Sequence, residues 1–228
     1  DLETAIDSFK LAVKIKPDYA DAYYNMGNIL KEMGDLDAAI ECFKQSLKIE
    51  HASSETNYNI GVVLLEKGEL GAAIDYYKKA LQIKPENAEA YGNMGVALAA
   101  MEEQKAAIVS YKKAIKIKPD YAEAYSNMGI TLNDKGELDA AIDSYKQAIK
   151  IKPDYAEAHS NMGNALKDKG DLEAAVESYK HAIEIKSDYL GAFYNMGIAL
   201  QEKGDLEAAI DSYKQALKIQ PDFAEAFN

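Results

Sequence analysis

Apolar positions within residues 122–155 recur at helical spacing, with Tyr125, Met128, Gly129 and Leu132 at i, i+3, i+4 and i+7 of one face. Lys135-Gly136 interrupts the pattern, and Leu138, Ala141, Ile142, Tyr145, Ala148 and Ile149 resume it up to Pro153. The stretch therefore predicts two helices joined by a short turn, a helical hairpin. Asp154, followed three residues later by Glu157, predicts a capping box at the start of the next helix. Lys150 and Lys152 lie where a helix C-terminus favours cations.

The hairpin repeats. Shifting the chain by 34 residues aligns Gly27, Gly61, Gly95, Gly129, Gly163 and Gly197 in one column and Ala39, Ala73, Ala107, Ala141, Ala175 and Ala209 in a second. A third column is aromatic: Phe43, Tyr77, Tyr111, Tyr145, Tyr179 and Tyr213. The period defines six full units at 20–53, 54–87, 88–121, 122–155, 156–189 and 190–223 within a single array spanning 1–228. Residues 1–19 match a second helix without its first, and 224–228 begin a further unit. A glycine inside a helix costs about 1 kcal/mol relative to Ala. Six of them are tolerable only if the absent side chain allows close helix contact, so Gly129 and Ala141 are expected at a tight crossing with Tyr145 filling the space beside them.

The order Tyr125-x-x-Met128-Gly129-x-x-Leu132, then Ala141-x-x-x-Tyr145, then Pro153 resembles the tetratricopeptide repeat signature, with Tyr for the usual Trp and Met for the usual Leu. The likeness covers the whole chain. It implies an all-α fold, a right-handed superhelical solenoid of antiparallel helix hairpins, whose first helices line a concave groove and whose second helices form the outer wall. Three places depart from the pattern. Asn57 stands where other units carry an aromatic, and His51-Ala52-Ser53 replaces Pro-Asp-Tyr, which predicts a looser junction. Glu102-Glu103-Gln104-Lys105 lacks the glycine suited to a left-handed turn, and Ser187 replaces a proline.

Charge narrows the function. The net charge is −12, from 38 acidic and 26 basic residues, and every basic residue is Lys. Without Arg, and without a concentrated positive face, nucleic-acid binding is not expected. Apolar runs such as 60–65 are too short to cross a bilayer, so no membrane partner is expected. The lone Cys42 cannot form an internal disulfide and fits a reducing, cytoplasmic setting. It reads as a small core residue, with Glu41 beside it and no base to activate it. His51, His159 and His181 fall at different points of the repeat, and none pairs with another at i+3 or i+4, so neither metal nor other cofactor is expected. Outer-helix carboxylates such as Asp143, Glu177 and Asp211 follow the structural period and read as a solvated face. No constellation suggests an enzyme.

Binding chemistry concentrates in a column of asparagines: Asn25, Asn59, Asn93, Asn127, Asn161 and Asn195. A carboxamide offers a donor and an acceptor, matching the N–H and C=O of an extended peptide. The column is similar to the ladder lining the repeat superhelix of O-linked N-acetylglucosamine transferases, but Asn at this place also ties one hairpin to the next, and both readings stand. Tyr24, Tyr58 and Tyr194 precede the asparagines as candidate anchors, while Gly92, Ser126 and Ser160 leave the middle of the groove open. An acidic column of Asp21, Glu55, Glu89, Glu123, Glu157 and Glu225, interrupted by Gly191, and a second of Glu32, Glu66, Asp134, Asp168 and Glu202, interrupted by Ala100, predict a neutral to basic protein or peptide partner. The first column also suits the dipole of helix N-termini.

The favoured function is an interaction scaffold binding an extended segment in the groove. The substrate-recognition portion of a larger enzyme, such as an O-linked glycosyltransferase, is a second reading. A self-assembling structural array is a third, because Leu2, Ile6, Phe9 and Val13 at one end, and Phe223 and Phe227 at the other, form unfinished apolar surfaces that predict end-to-end contact.

Overall fold

The computed structural model describes residues 2–222, so Glu225 and the terminal Phe223 and Phe227 lie outside the described residues. The described residues form thirteen helices: α1 Leu2–Ile15, α2 Ala20–Glu32, α3 Leu36–Ile49, α4 Ser54–Glu66, α5 Leu70–Ile83, α6 Ala88–Ala100, α7 Gln104–Ile117, α8 Ala122–Asp134, α9 Leu138–Ile151, α10 Ala156–Lys169, α11 Leu172–Ile185, α12 Leu190–Lys203 and α13 Leu206–Ile219. They gather into two compact units, Asp1–Lys118 and Pro119–Asn228.

In the first unit α1 packs on α2, and the hairpins α2–α3, α4–α5 and α6–α7 follow, with α3 against α4 and α5 against α6. The second unit holds the hairpins α8–α9, α10–α11 and α12–α13, stacked through α9 on α10 and α11 on α12. First helices also touch one another, α4 on α6 in one unit and α10 on both α8 and α12 in the other. Each unit therefore has a side made of first helices and a side made of second helices. The stripe on α1 is partly covered: Ile6 is buried against this stack, while Leu2, Leu11 and Ile15 are exposed.

The three sequence columns meet in each hairpin core. Ala39, Ala73, Ala107, Ala141, Ala175 and Ala209 are buried, as are Phe43, Tyr77, Tyr111, Tyr145 and Tyr179. The glycine opposite each ring has no room for a side chain. A Cβ added to Gly129 would lie 2.7 Å from Cε1 of Tyr145, and one added to Gly163 would lie 2.6 Å from Cε1 of Tyr179. The aromatic ring thus occupies the notch that the missing Cβ leaves, which is what makes a helical glycine favourable here.

Helix ends correct the expected capping. Tyr155, not Asp154, is the N-cap of α10, and it makes no side-chain cap. Asp154 falls one residue too early, in the preceding turn, and the tyrosine ring is instead covered by the Lys152 ammonium, 4.7 Å from its centroid. Carboxylate caps occur on second helices, where Asp35, Asp171 and Asp205 accept from Ala38, Ala174 and Ala208.

The departures from the repeat are absorbed locally. At the 51–53 junction Ser53 caps Thr56, Ser54 Oγ donates to the Ala80 carbonyl at 2.9 Å, and Asn57 Nδ2 donates to the Ser53 carbonyl at 2.7 Å. Two of these bonds cap α4 and the third ties it to α5, in place of the Pro-Asp-Tyr lead-in of other units. Glu102 takes the turn position that Gly68 and Gly136 hold elsewhere, and its φ of 61° keeps the same left-handed conformation without glycine.

Neighbouring hairpins are also clipped by ion pairs between residues thirty apart. Lys67 reaches Asp37 at 2.6 Å, Lys169 reaches Asp139 at 2.5 Å and Lys203 reaches Glu173 at 3.2 Å. Solvent screening keeps such exposed pairs weak, so they contribute register more than stability.

Candidate functional site

The asparagine column lies on the first helices, but its six amides do not share one environment. Asn59 is buried and donates from Nδ2 to the Tyr24 hydroxyl at 2.8 Å and to Asn28 Oδ1 at 3.4 Å. Asn93 donates to the Tyr58 hydroxyl at 3.1 Å, and Asn195 donates to Asn164 Oδ1 at 3.0 Å. These three amides join adjoining hairpins and retain their carbonyl oxygens. The side chains of Asn25, Asn127 and Asn161 make no hydrogen bond among the described residues; Asn25 is exposed and the other two are half-buried.

The difference has a sequence cause. Asn59 and Asn93 each find a tyrosine thirty-five residues upstream, whereas Asn161 finds Ser126 there, too short to reach. Asn195 has Ser160 at that place and turns to Asn164, which also accepts from the Tyr179 hydroxyl at 2.8 Å. Asn28 and Asn164 thus belong to the network and were missed in the sequence. Their signal is a single polar pair in a column otherwise filled by Val62, Val96, Ile130 and Ile198.

Tyr24, Tyr58 and Tyr194 are half-buried. The Tyr24 and Tyr58 rings pack on Phe43 and Tyr77 at 5.8 and 6.0 Å, and Tyr194 packs on Tyr213 at 6.0 Å. Tyr24 also donates its hydroxyl to Glu55 Oε1 at 2.7 Å. Burial raises the Tyr24 and Tyr58 hydroxyl pKa values, assisted by Glu55 and Glu89 respectively, so both hydroxyls remain neutral. Gly92, Ser126 and Ser160, which stand in the same column, are themselves buried.

Carboxylates border this side. Asp21, Glu55, Glu89, Glu123 and Glu157 are exposed, as are Glu32, Glu66, Asp134, Asp168 and Glu202. Glu89 is held below the usual carboxylate range by its own backbone N–H and by the Lys118 ammonium at 3.1 Å. A cavity of about 470 Å³ opens at Asn25 in the first unit, flanked by Tyr19, Tyr24 and the carboxylates of Asp21, Glu50 and Glu55. Its chemistry suits a cationic side chain, which carboxylates neutralise and aromatic faces cover.

Two histidines separated in sequence do meet. Packing of α10 on α11 brings the His159 and His181 rings to 5.6 Å, a convergence that spacing along one helix could not show. No group of three metal-ligating side chains forms among the described residues. His159 Nε2 lies 3.2 Å from the Pro153 carbonyl, and its buried Nδ1 has no partner there. Burial, then the neighbouring His181, lowers the His159 pKa. The unfolded chain therefore takes up this proton at higher pH than the folded one. The second unit should lose stability as pH falls from about 6.5 through the lowered folded-state pKa. His159→Tyr, which installs the residue found at Tyr91 and Tyr125, should flatten that acid limb in thermal melts from pH 7 to 5; an unchanged limb would assign it to other groups.

Cys42 is half-buried and its thiol pKa is pushed up by burial, Glu41 and Asp35, which disfavours a reactive thiolate. No helix among the described residues is long and apolar enough to cross a membrane.

The family model described as TPR repeat matches residues 1–34, 97–133, 130–170 and 163–204, and models described as tetratricopeptide repeat match 18–86 and 191–223. No curated protein matches the chain. Among solved structures, MamA is 33% identical over 71% of this chain and 95% of its own, with a TM-score of 0.67. YrrB, described as a TPR protein with an unusual peptide-binding site, is 26% identical over 82% of this chain and 96% of its own, with a TM-score of 0.67. PilF of Pseudomonas aeruginosa, at 18% identity over 89% of this chain and 92% of its own and a TM-score of 0.76, shares the fold. Glycine notches filled by aromatic rings, stacked helix pairs and family matches along the chain together show that it belongs to the tetratricopeptide repeat family.

Proposed function

We propose that this chain is a protein interaction scaffold, a single array of six hairpins that holds an extended, neutral to basic segment of a partner protein on the first-helix side. The peptide-binding site named for YrrB supports a peptide ligand, and the absence of any catalytic constellation in the sequence supports binding over chemistry. The observation that carries the reading is the pair Asn127 and Asn161, on the touching helices α8 and α10, whose amides make no hydrogen bond among the described residues and are half-buried. Packed helices stand about 8–10 Å apart, close to three residues of extended chain at about 3.3 Å each. A bound strand would therefore bring a backbone N–H or C=O to each amide in turn. Glu123 and Glu157, exposed on the same two helices, would favour a basic segment.

Changing Asn127 and Asn161 together to Ala should weaken binding of extended peptides about tenfold or more, since each lost hydrogen bond is worth about 1 kcal/mol. Fluorescence anisotropy with a panel of neutral, basic and acidic peptides checks this, with far-UV circular dichroism confirming intact helices. Basic peptides should bind best at low salt and lose affinity as salt rises. Equal binding by parent and double variant would restrict the amides to a structural role.

A further inference from the structure

Helix α7 breaks the charge pattern of every other second helix described. At the position of Val109, the other hairpins carry Glu41, Asp75, Asp143, Glu177 and Asp211, and at the position of Lys105 four of the other five carry Asp37, Asp139, Glu173 and Glu207. The helix consequently holds Lys105, Lys112, Lys113 and Lys116 and no acidic residue, in a chain whose net charge is −12. The structural effect is visible in the ion pairs. In α5, α11 and α13 the acid of this column holds the lysine three residues on, as in Lys78–Asp75 at 3.9 Å, Lys180–Glu177 at 3.6 Å and Lys214–Asp211 at 3.2 Å. Lys112, facing Val109 instead, forms no ion pair among the described residues, nor do Lys105, Lys113 and Lys116.

These side chains share one exposed stripe, because 105, 109, 112, 113 and 116 follow the i, i+3, i+4, i+7 spacing. Val109 is 54% exposed at its centre. Beside it a cavity of about 490 Å³ opens between Tyr91, Pro85, Ile117 and the stems of Lys113 and Lys116, with Glu86 on its wall and the Lys113 ammonium 5.2 Å from the Tyr91 ring. The surface thus combines a lysine stripe without ion pairs among the described residues, an exposed apolar side chain and an adjoining recess of mixed lining, floored by Tyr91 of α6 and bounded by Glu86.

We propose that the outer face of α7 docks an acidic segment of a partner protein, with a hydrophobic side chain of that segment seated in the Tyr91 recess. Charge complementarity selects the occupant. A nucleic acid would meet the repulsion of the remaining acidic surface without any arginine fork to hold its phosphates. A short acidic segment needs only the stripe, and its apolar residue gains the recess. The site is separate from the amide side and does not depend on it.

The test uses the full chain and a fluorescein-labelled peptide of Glu and Asp residues flanking one central Phe, followed by anisotropy. The variant Val109→Asp with Lys113→Glu and Lys116→Glu should weaken the probe about tenfold or more, at unchanged melting temperature, because three exposed charges change sign or appear. Should that triple variant melt lower, Val109→Asp alone, which installs the residue already tolerated at Asp75 and Asp143, should still weaken binding. Changing Asn127 and Asn161 to Ala should leave the probe's affinity as in the parent. Equal affinity for parent and α7 variants would overturn the proposal, as would tighter binding of a single-stranded oligonucleotide or of phosphatidylserine vesicles than of the peptide.

Discussion

Gly129→Ala should destabilise the chain by about 1–3 kcal/mol, although helix propensity alone favours Ala by about 1 kcal/mol. The sign of the effect therefore separates packing from propensity. The added methyl would sit 2.7 Å from Cε1 of Tyr145, and that ring is 2% exposed, enclosed by the α8–α9 hairpin core and unable to swing aside. Gly129→Leu should go further and unfold the hairpin, since no rotamer clears the ring. Urea denaturation of the full chain measures the loss, and hydrogen exchange should locate it in α8 and α9. Combining Gly129→Ala with Tyr145→Ala provides the control. With the ring gone the methyl has space, and its penalty should vanish, giving a coupling of opposite sign to the single change. A stabilising Gly129→Ala would overturn the notch account.

Tyr179→Ala should cost about 3–5 kcal/mol, the range for emptying a buried aromatic site. The ring is fully buried, fills the notch at Gly163, and its hydroxyl donates to Asn164 Oδ1, which in turn holds Asn195 on the next hairpin. Tyr179→Phe divides that effect. It keeps the ring and removes one hydrogen bond, and because Asn164 still accepts from Asn195, the loss should be about 1 kcal/mol. Phe43, which fills the same place in the α2–α3 hairpin, shows that the ring suffices for the fold. Thermal melts of both variants test the division; equal losses would place the energy in the hydroxyl network and not in the ring.

The acid limb expected from His159 and the salt sensitivity of peptide binding act on different parts of the molecule. One follows from a single buried imidazole in the second unit, the other from carboxylates exposed on the first helices. A low-pH loss of binding that tracks helix loss reports the imidazole. Loss of binding at constant helicity places the effect on the binding surface itself.

Much of the site was hidden in the sequence because its partners lie about one repeat away. Asn59 and Asn161 occupy the same column and follow the same local pattern, yet one is buried against Tyr24 and Asn28 while the other makes no hydrogen bond among the described residues. The outcome depends on what stands thirty-five and thirty-one positions earlier: Tyr24 and Asn28 reach Asn59, whereas Ser126 is too short and Ile130 is apolar before Asn161. The ion-pair clips behave alike. Lys67 and Asp37 look like two surface charges until stacking brings them to 2.6 Å. The capping box failed for a smaller reason, a one-residue offset in where the α10 helix begins.

By itself the sequence determined the hairpin and its repetition, because a period of 34 and the columns of Gly129, Ala141 and Tyr145 express packing within one local pair of helices. It also carried the anomaly of α7, since an absent carboxylate is legible without coordinates. Tertiary structure alone decided which amides are tied to the adjoining hairpin, that His159 meets His181, and that Tyr91 floors a recess beside the lysine stripe. The physical reason is reach. Helical periodicity governs neighbours within a turn or two, whereas hydrogen bonds between hairpins depend on side-chain length across a gap whose width only the stacked backbone sets.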